Sequence, residues 1–296
     1  MRVTVGIPSF NHARFLPQTI ESVLAQTYQG FEIIIVDDCS TDESRAVIES
    51  FAARHPSIRS FFNEQNAGTA ATANRTIAEA TGEFWAGMGS DDVWLPDKLE
   101  KQIAYMDAHP QTGLVYGLAG VIDEHGNKSD EVLGRDISHN PVAELIEANH
   151  IPALTAMVRR QAFERVGLHS SIAYSDWELW VRLANHFSVG FIDSVLGFYR
   201  VHQANMSLGK NGQIATRREI EVLRSLRPTI NAPRLKQRIR ELEHRLANLL
   251  MEEFDVHAGE GELLRALDCF GRALRLDPSR ISNVRRLFFA LRKGIS

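Results

Sequence analysis

Short runs rich in β-branched and aromatic residues alternate with segments of helical period over residues 3–116. That alternation leaves few architectures open, because strands joined through helices must lie parallel in one sheet. Runs at 3–7, 31–36, 58–62, 82–88 and 113–116 read as strands, and 13–26, 42–53, 67–80 and 96–108 as the helices between them. In the first helix Phe15, Leu16, Ile20, Val23 and Leu24 recur on one face. Thr41 or Asp42 can cap the second helix, and Pro96 suits a first helical turn. The run Phe-Glu-Ile-Ile-Ile-Val at 31–36 is nearly continuous in apolar character, as a strand covered on both faces must be. The expected class is α/β, a mostly parallel sheet with helices on both faces. Ligands of such sheets bind beyond the carboxyl ends of the strands, which selects residues 8–11, 37–40 and 89–92.

The pattern changes after residue 118. A strand at 153–158, a helix at 176–186 with Trp177, Trp180, Val181 and Ala184 on one face, and a strand at 189–192 are expected. Residues 203–213 are rich in Asn, Gly, Ser and Gln and read as a loop able to close over a ligand. From 214 onward the period is purely helical, with breaks at 228–233 and 258–261. Residues 265–280 look like one tetratricopeptide-type helix, without a second copy at a fixed period. The 296 residues therefore divide into a domain at 1–210 and an all-helical C-terminal region at 211–296. The first carries 16 Lys and Arg against 26 Asp and Glu, the second 17 against 11. An acidic front portion excludes nucleic acid as a partner and suits one that holds a cation. Cys39 and Cys269 are too few for a disulfide framework or a structural zinc site, which points to a reducing compartment. No leader peptide is apparent, and the longest apolar run falls far short of the roughly 18 residues a membrane helix needs. A cytoplasmic protein follows as the expectation, with room for peripheral contact at the inner membrane face.

Chemistry concentrates at the strand ends. Asp37 and Asp38 close the second strand, where a carboxylate can accept from a nucleobase N–H or ribose hydroxyls, or can close an Asx turn or cap a helix. Gly89-Ser90-Asp91-Asp92 follows the fourth strand, and paired carboxylates there form a hard oxygen site for Mg²⁺ or Mn²⁺, or else a helix start. Asp176, before Trp177, is either a helix cap or a general base. His202 follows a strand beside Arg200, and Arg75 is either a phosphate contact or a solvated helix charge.

Several of these segments carry a family likeness. VTVGIPSFN at 3–11, FLPQTIESVLAQTY at 15–28, FEIIIVDDCSTD at 31–42, NAGTA at 66–70, ATGEF at 80–84, SDDVWLPDKL at 90–99, SDWELWVRL at 175–183 and FYRVHQANMS at 198–207 together resemble the family 2 glycosyltransferases, over about residues 1–207. The resemblance implies a GT-A fold and inverting transfer of a sugar from a nucleotide diphosphate-sugar, a UDP-sugar by preference, to a glycan or lipid-linked acceptor in bacterial polysaccharide or glycolipid synthesis. It implies Asp38 at the base, Asp91 at the ribose, Asp92 on a Mn²⁺ or Mg²⁺ that bridges the diphosphate, with Asp91 and His202 as further metal contacts, and Asp176 as catalytic base. Pro8, Ser9, Asn11, Asp37, Asn66, Gly68 and Arg75 complete the donor site it implies. Two positions depart from the family pattern: Gly89 stands where many members have the first Asp of Asp-x-Asp-Asp, and Ser175 where many have Glu before the base. Those departures leave a catalytically degenerate interaction module as one alternative. A sugar-nucleotide nucleotidyltransferase is the other, although residues 7–14 lack the glycine and lysine of its usual loop. The basic, aromatic stretch at 285–293 suits a membrane interface, or packing against the domain or a second copy.

Overall fold

The computed structural model describes residues 1–203, 205, 212–260 and 262–279. Most of the expected closing loop and the basic stretch at 285–293 lie outside the described residues. Two compact units emerge, Met1–Leu208 and Gly209–Ser296.

In the first unit β1 (Val3–Ser9) is the centre of a parallel half-sheet. It pairs in register with β2 (Phe31–Asp37), from Val3 opposite Phe31 to Ser9 opposite Asp37, and on its other side with β4 (Phe84–Gly87). β3 (Ile58–Phe62) adds to β2. All seven residues of β2 are buried, as its apolar run requires. The one charge in that run, Glu32, survives because Thr4 Oγ1, Thr81 N and Thr81 Oγ1 donate to its carboxylate at 2.7, 2.8 and 2.6 Å. Burial alone would raise this carboxyl; the Thr81 and Thr4 donors outweigh it and hold the group below its usual range. Helices α1 (Leu16–Leu24), α2 (Ser44–Arg54), α3 (Thr69–Ala78) and α4 (Lys98–Ala108) flank this sheet. Leu16, Ile20, Val23, Ile48, Phe51, Leu99, Ile103 and Met106 from three of them join Val3, Val5, Ile7, Ile33 and Ile35 in one core.

Beyond β4 the sheet turns mixed. β8 (Met157–Arg159) runs antiparallel to β4, and β6 (Thr112–Asp123) antiparallel to β8. β9 (Ser188–Val201) lies parallel to β6, and β5 (Val93–Trp94) closes the edge antiparallel to β9. β7 (Lys128–Leu133) forms a hairpin with β6. The strand expected at 113–116 is thus twelve residues long and that at 189–192 fourteen, because glycines and the Asp193-Ser194 pair interrupt the apolar runs without ending the strands. The strand expected at 153–158 splits into a 3₁₀ turn at Ala153–Thr155 and β8. α5 (Pro141–Glu147), α6 (Arg160–Val166) and α7 (Ser175–Ala184) complete the unit.

The second unit is helical in its described part: α8 (Gly212–Ser225), α9 (Pro233–Gly259) and α10 (Leu263–Leu276). α9 buries Leu235, Ile239, Leu242, Leu246, Leu250 and Phe254, a stripe of threes and fours. Its Phe254 ring meets Phe270 of α10 at 5.8 Å. No helix among the described residues is long and apolar enough to cross a membrane.

The junction of β1, β4 and α3 is packed without slack at Gly6. A Cβ there would stand 2.4 Å from Thr76 Oγ1 and 2.5 Å from Trp85 Nε1, two atoms that hydrogen-bond each other at 3.1 Å. Gly6→Ala is expected to cost about 1–3 kcal/mol by overpacking. The loss should appear as a lower denaturant midpoint with unchanged slope, followed by Trp fluorescence.

Candidate functional site

The carboxyl ends of β1 and β2 are knitted together before any ligand is considered. Asp38 N donates to Ser9 O at 2.8 Å, continuing the ladder one step past β2. Asn11 takes a left-handed conformation, φ 52°, which turns its Oδ1 onto Thr41 N at 2.8 Å while its own N donates to Ser40 Oγ at 2.9 Å. Asp37 spends both oxygens on Ser40, accepting from N at 2.9 Å and Oγ at 2.6 Å. Of the readings open to this pair, Asp37 follows the Asx turn. Asp38 reaches outward: its Oδ1 accepts from Asn63 Nδ2 and Ala67 N, both at 2.8 Å, and its Oδ2 from Gly68 N at 2.9 Å. Burial would raise the Asp38 carboxyl, but the Ala67, Asn63 and Gly68 donors prevail and keep it ionised below its ordinary range. Gly68 has φ +87°, a conformation that aims its N–H at this carboxylate and that side chains resist. Asn66 beside it is exposed. Pro8 sits within β1 opposite Val36, and among the described residues the buried Ser9 hydroxyl has no hydrogen-bond partner. Arg75 donates to Asn63 Oδ1 at 2.6 Å with its guanidinium over Phe61, so it braces the residue that grips Asp38.

The acidic loop after β4 is positioned from three sides. Thr19 Oγ1 of α1 donates to Asp92 O at 2.8 Å and Ser90 O at 3.1 Å. The pairing of Val93 with Phe198 brings the loop beside the end of β9. Arg200 N then donates to Asp92 Oδ1 at 3.0 Å, and its guanidinium donates through Nε to Asp91 O at 2.7 Å, through Nη1 to Asp123 O at 3.2 Å and through Nη2 to Gln18 Oε1 at 2.6 Å. Burial first, and then the charge of Asp91, push the Asp92 carboxyl well above its usual range. Gly89 answers a steric demand: a Cβ would lie 2.7 Å from Asp91 Oδ1 and 2.8 Å from Asp92 Oδ2. Both carboxylates therefore lean over the one backbone position without a side chain.

Two imidazoles complete the cluster. His202 Nε2 stands 3.0 Å from Asp91 Oδ2, and His202 N donates to Asn205 Oδ1. His12 Nδ1 meets Ser90 Oγ at 2.8 Å, and its ring faces His202 edge-on with centroids 5.4 Å apart. One ligand atom each from His12, Asp91 and His202 lies within 4.8 Å of the other two. Burial lowers the His12 pKa and keeps the ring neutral, as a metal ligand requires. His12 was not among the residues expected here, although it follows the first strand end by three positions, one residue past the segment which the strand-end rule selects. Arg200 was noticed only as a neighbour of His202; its bond to Gln18 spans 182 positions and has no local sequence signal.

Asp176 lies apart from this cluster in its contacts. It opens α7 after Tyr174, which holds a left-handed φ of 59°. Its Oδ2 accepts from Asn149 Nδ2 at 3.2 Å. The carboxylate keeps some solvent contact yet is densely enclosed by protein, and that burial pushes its pKa up. Ser175 Oγ stands 3.3 Å from His169 Nδ1, and burial pushes this imidazole down to about 4. His169 is in turn fixed by Asn74 of α3, which accepts from its N at 2.9 Å and donates to its O at 2.8 Å.

Comparison with known proteins accords with this geometry. The family described as Glycosyl transferase family 2 matches residues 4–167. A putative teichuronic acid biosynthesis glycosyltransferase of Bacillus subtilis, TuaG, is 28% identical over 77% of this chain and 91% of its own length. The chain spans less of other curated relatives, 33% in one case. Among solved structures, S. aureus TarS in complex with UDP-GlcNAc superposes over 100% of this chain and 88% of its own, with 17% identity and a TM-score of 0.63. A mannosyltransferase from Pyrobaculum calidifontis in complex with GDP-Man and Mn²⁺ covers 99% of this chain and 87% of its own, with 19% identity and a TM-score of 0.61. These likenesses establish the GT-A fold. With more than half its length inside the family match, the chain belongs to the family 2 glycosyltransferases.

Proposed function

We propose that this chain transfers a sugar from a nucleotide diphosphate-sugar, a UDP-sugar, to an acceptor hydroxyl with inversion at the anomeric carbon, in the assembly of a bacterial polysaccharide or glycolipid. One observation carries this reading: Asp91, Asp92, His12 and His202 converge from two separate loops and a strand end at the carboxyl edge of the sheet. The donor set fits a divalent cation. It offers a carboxylate and two imidazoles within 4.8 Å of one another, and a second carboxylate that burial and like charge leave poorly stabilised without a counterion. A bound Mn²⁺ or Mg²⁺ would offset the charge that develops on the departing diphosphate. Asp91, Asp92, His202 and His12 would hold it, with Arg200 fixing the carboxylates from behind.

The remaining steps belong to the chain. Pro8, Ser9, Asn11, Asp37, Asp38, Asn66 and Gly68 form the wall in which base and ribose would lie, and Arg75 keeps that wall in place through Asn63. Asp176 would take the proton from the acceptor hydroxyl as its oxygen attacks the face opposite the leaving diphosphate. Its raised pKa makes it a stronger base than an ordinary carboxylate. Burial supplies that rise, so the absence of a Glu at Ser175 does not forfeit it. Gly89 is likewise a fit to the space between two carboxylates. Both departures from the family pattern are thus compatible with an active enzyme, which weakens the case for a degenerate interaction module. The teichuronic acid biosynthesis named for TuaG supports a bacterial polysaccharide as product class, and UDP-GlcNAc in the TarS complex supports a UDP-linked donor.

Four outcomes follow. Asp176→Asn should lower turnover about a hundredfold or more while donor affinity, measured by calorimetry, stays within a few-fold of wild type. Release of a nucleoside diphosphate, and not pyrophosphate, should accompany transfer. Asp92 has its folded pKa above its unfolded value, so its contribution to stability is fully present below the unfolded pKa and is lost as pH rises through the folded one. At neutral pH without cation, Asp92→Asn should therefore melt higher than wild type. Added Mn²⁺ should raise the melting temperature of wild type more than that of the variant. Gly89→Asp restores the commoner acidic pattern yet drives a Cβ into two carboxylates. It should weaken the Mn²⁺-induced shift; a stronger shift would remove the steric account of Gly89.

A further inference from the structure

Outside this site, one cluster in the helical unit joins three metal-ligating chemistries. Glu253 and His257 stand four residues apart on one face of α9, and Cys269 approaches them from α10, 4% exposed. One ligand atom from each lies within 4.8 Å of the other two. Glu253 Oε1 and His257 Nε2 are 3.8 Å apart. Around a tetrahedral ion with bonds of about 2.0–2.3 Å, ligand atoms stand about 3.3–3.8 Å apart, which the Glu253–His257 pair already matches and the thiol reaches by a side-chain shift of about 1 Å. Of the other atoms of these side chains, the second Glu253 oxygen is hydrogen-bonded, and the buried His257 Nδ1 has a carboxylate close by without a hydrogen bond to it. Gln213 Nε2 donates to Glu253 Oε2 at 2.8 Å, and His257 Nδ1 lies 2.7 Å from Glu262 Oε2 in the turn between the two helices. A carboxylate on the far nitrogen is what orients the imidazole of a zinc ligand. Arg265 donates to Glu262 at 2.8 Å, and its pairing, followed by His257, holds that carboxyl below its usual range. A cavity of about 510 Å³ opens against Glu253, His257 and Cys269 and leaves a route of entry.

We propose that Glu253, His257 and Cys269 form a transition-metal site, for Zn²⁺ or a similar ion, that clamps α9 to α10, with Glu262 as the positioning residue behind His257. Thiolate, imidazole and carboxylate together favour Zn²⁺ or Co²⁺ over Mg²⁺ or Ca²⁺. The site is distinct from the cation site of the transferase domain, and it stands whether or not that domain acts as proposed. Counting cysteines alone points away from zinc; the i, i+4 pair on α9 supplies the nitrogen and oxygen that the count omits. Burial, and then Glu253, push the Cys269 thiol up to about 11, so it carries its proton while no ion is bound. On binding, the S–H bond breaks, a metal–sulfur bond forms, and the proton passes to solvent.

Titration of the metal-stripped full chain with Co²⁺ tests this. One equivalent should produce the intense sulfur-to-cobalt charge-transfer absorption of a thiolate complex, displaced by Zn²⁺. The band should vanish in Cys269→Ser and persist in Cys39→Ser and in Asp92→Asn, which separates it from the exposed cysteine and from the transferase cation. Glu262→Gln should weaken Co²⁺ binding about 10–100-fold. Should Cys269→Ser lose its helical circular dichroism, His257→Gln replaces it and should weaken binding at least tenfold. No charge-transfer band, a band that survives Cys269→Ser, or unchanged affinity in His257→Gln overturns the proposal.

Discussion

A buried guanidinium organises the carboxyl edge of the sheet. Arg200 is 1% exposed, and taking such a cation from water costs several kcal/mol unless its donors are met. Here they are met by the carbonyls of Asp91 and Asp123 and by the Gln18 side chain, with the Phe15 ring 5.0 Å beneath. Those partners belong to α1, to the loop after β4 and to the end of β6. Arg200 therefore fixes the relative positions of three segments that local structure leaves independent. Its own backbone N–H holds Asp92, and two residues later His202 meets Asp91. The fixed positive charge offsets the adjacent carboxylates only in part, since burial and Asp91 still push the Asp92 carboxyl well above its usual range.

That arrangement depends on the mixed half of the sheet. β5 is only two residues long, yet its antiparallel pairing with β9 sets Val93 against Phe198 and Trp94 against Gly197. That pairing adds the support of β9 to the hold that Thr19 of α1 already has on the acidic loop. The parallel half positions the loops at residues 8–12, 37–40 and 66–68. The mixed half delivers Arg200 and His202 to the same edge. The pairing of β4 with β8 joins the two halves, and Val115, Ala119 and Met157 of the mixed half pack in the same core as Val3, Val5 and Ile33.

Much of the parallel half is legible in sequence because each strand there is a compact apolar run bounded by turn residues, and the strand-end rule finds three of the loops that build the site. The mixed half is harder to read. β6 holds glycines at 113, 117 and 120 and runs past the apolar segment at 113–116; β7 is exposed along most of its length; and β5 is too short to show a period. The carboxylates at 37 and 38 illustrate a different limit. Either can cap, turn or bind, and only the fold shows that Asp37 satisfies itself on Ser40 whereas Asp38 reaches Asn63, Ala67 and Gly68. Gly89 and Ser175 read as deletions of charge from a familiar pattern. In space, the first is a response to the carboxylates it lies beneath, and the second meets an imidazole that burial keeps neutral.

Helix α3 supplies the remaining connection, between the neighbourhoods of Asp38 and Asp176. At its start the amide of Gly68 holds Asp38; in its middle Asn74 makes two bonds to the backbone of His169, whose ring meets Ser175, the neighbour of Asp176. Asp38 and Asp176 are 138 positions apart in sequence, yet each is tied to the same rigid ten-residue element. The loop at residues 66–68 is bound to Asp38 through two of its amides, those of Ala67 and Gly68, and leads directly into α3, which holds residue 169 through Asn74. The proposed nucleotide wall and the proposed base are thus registered to each other by one helix, because the residues on both sides bond to α3 or to the Gly68 amide at its start.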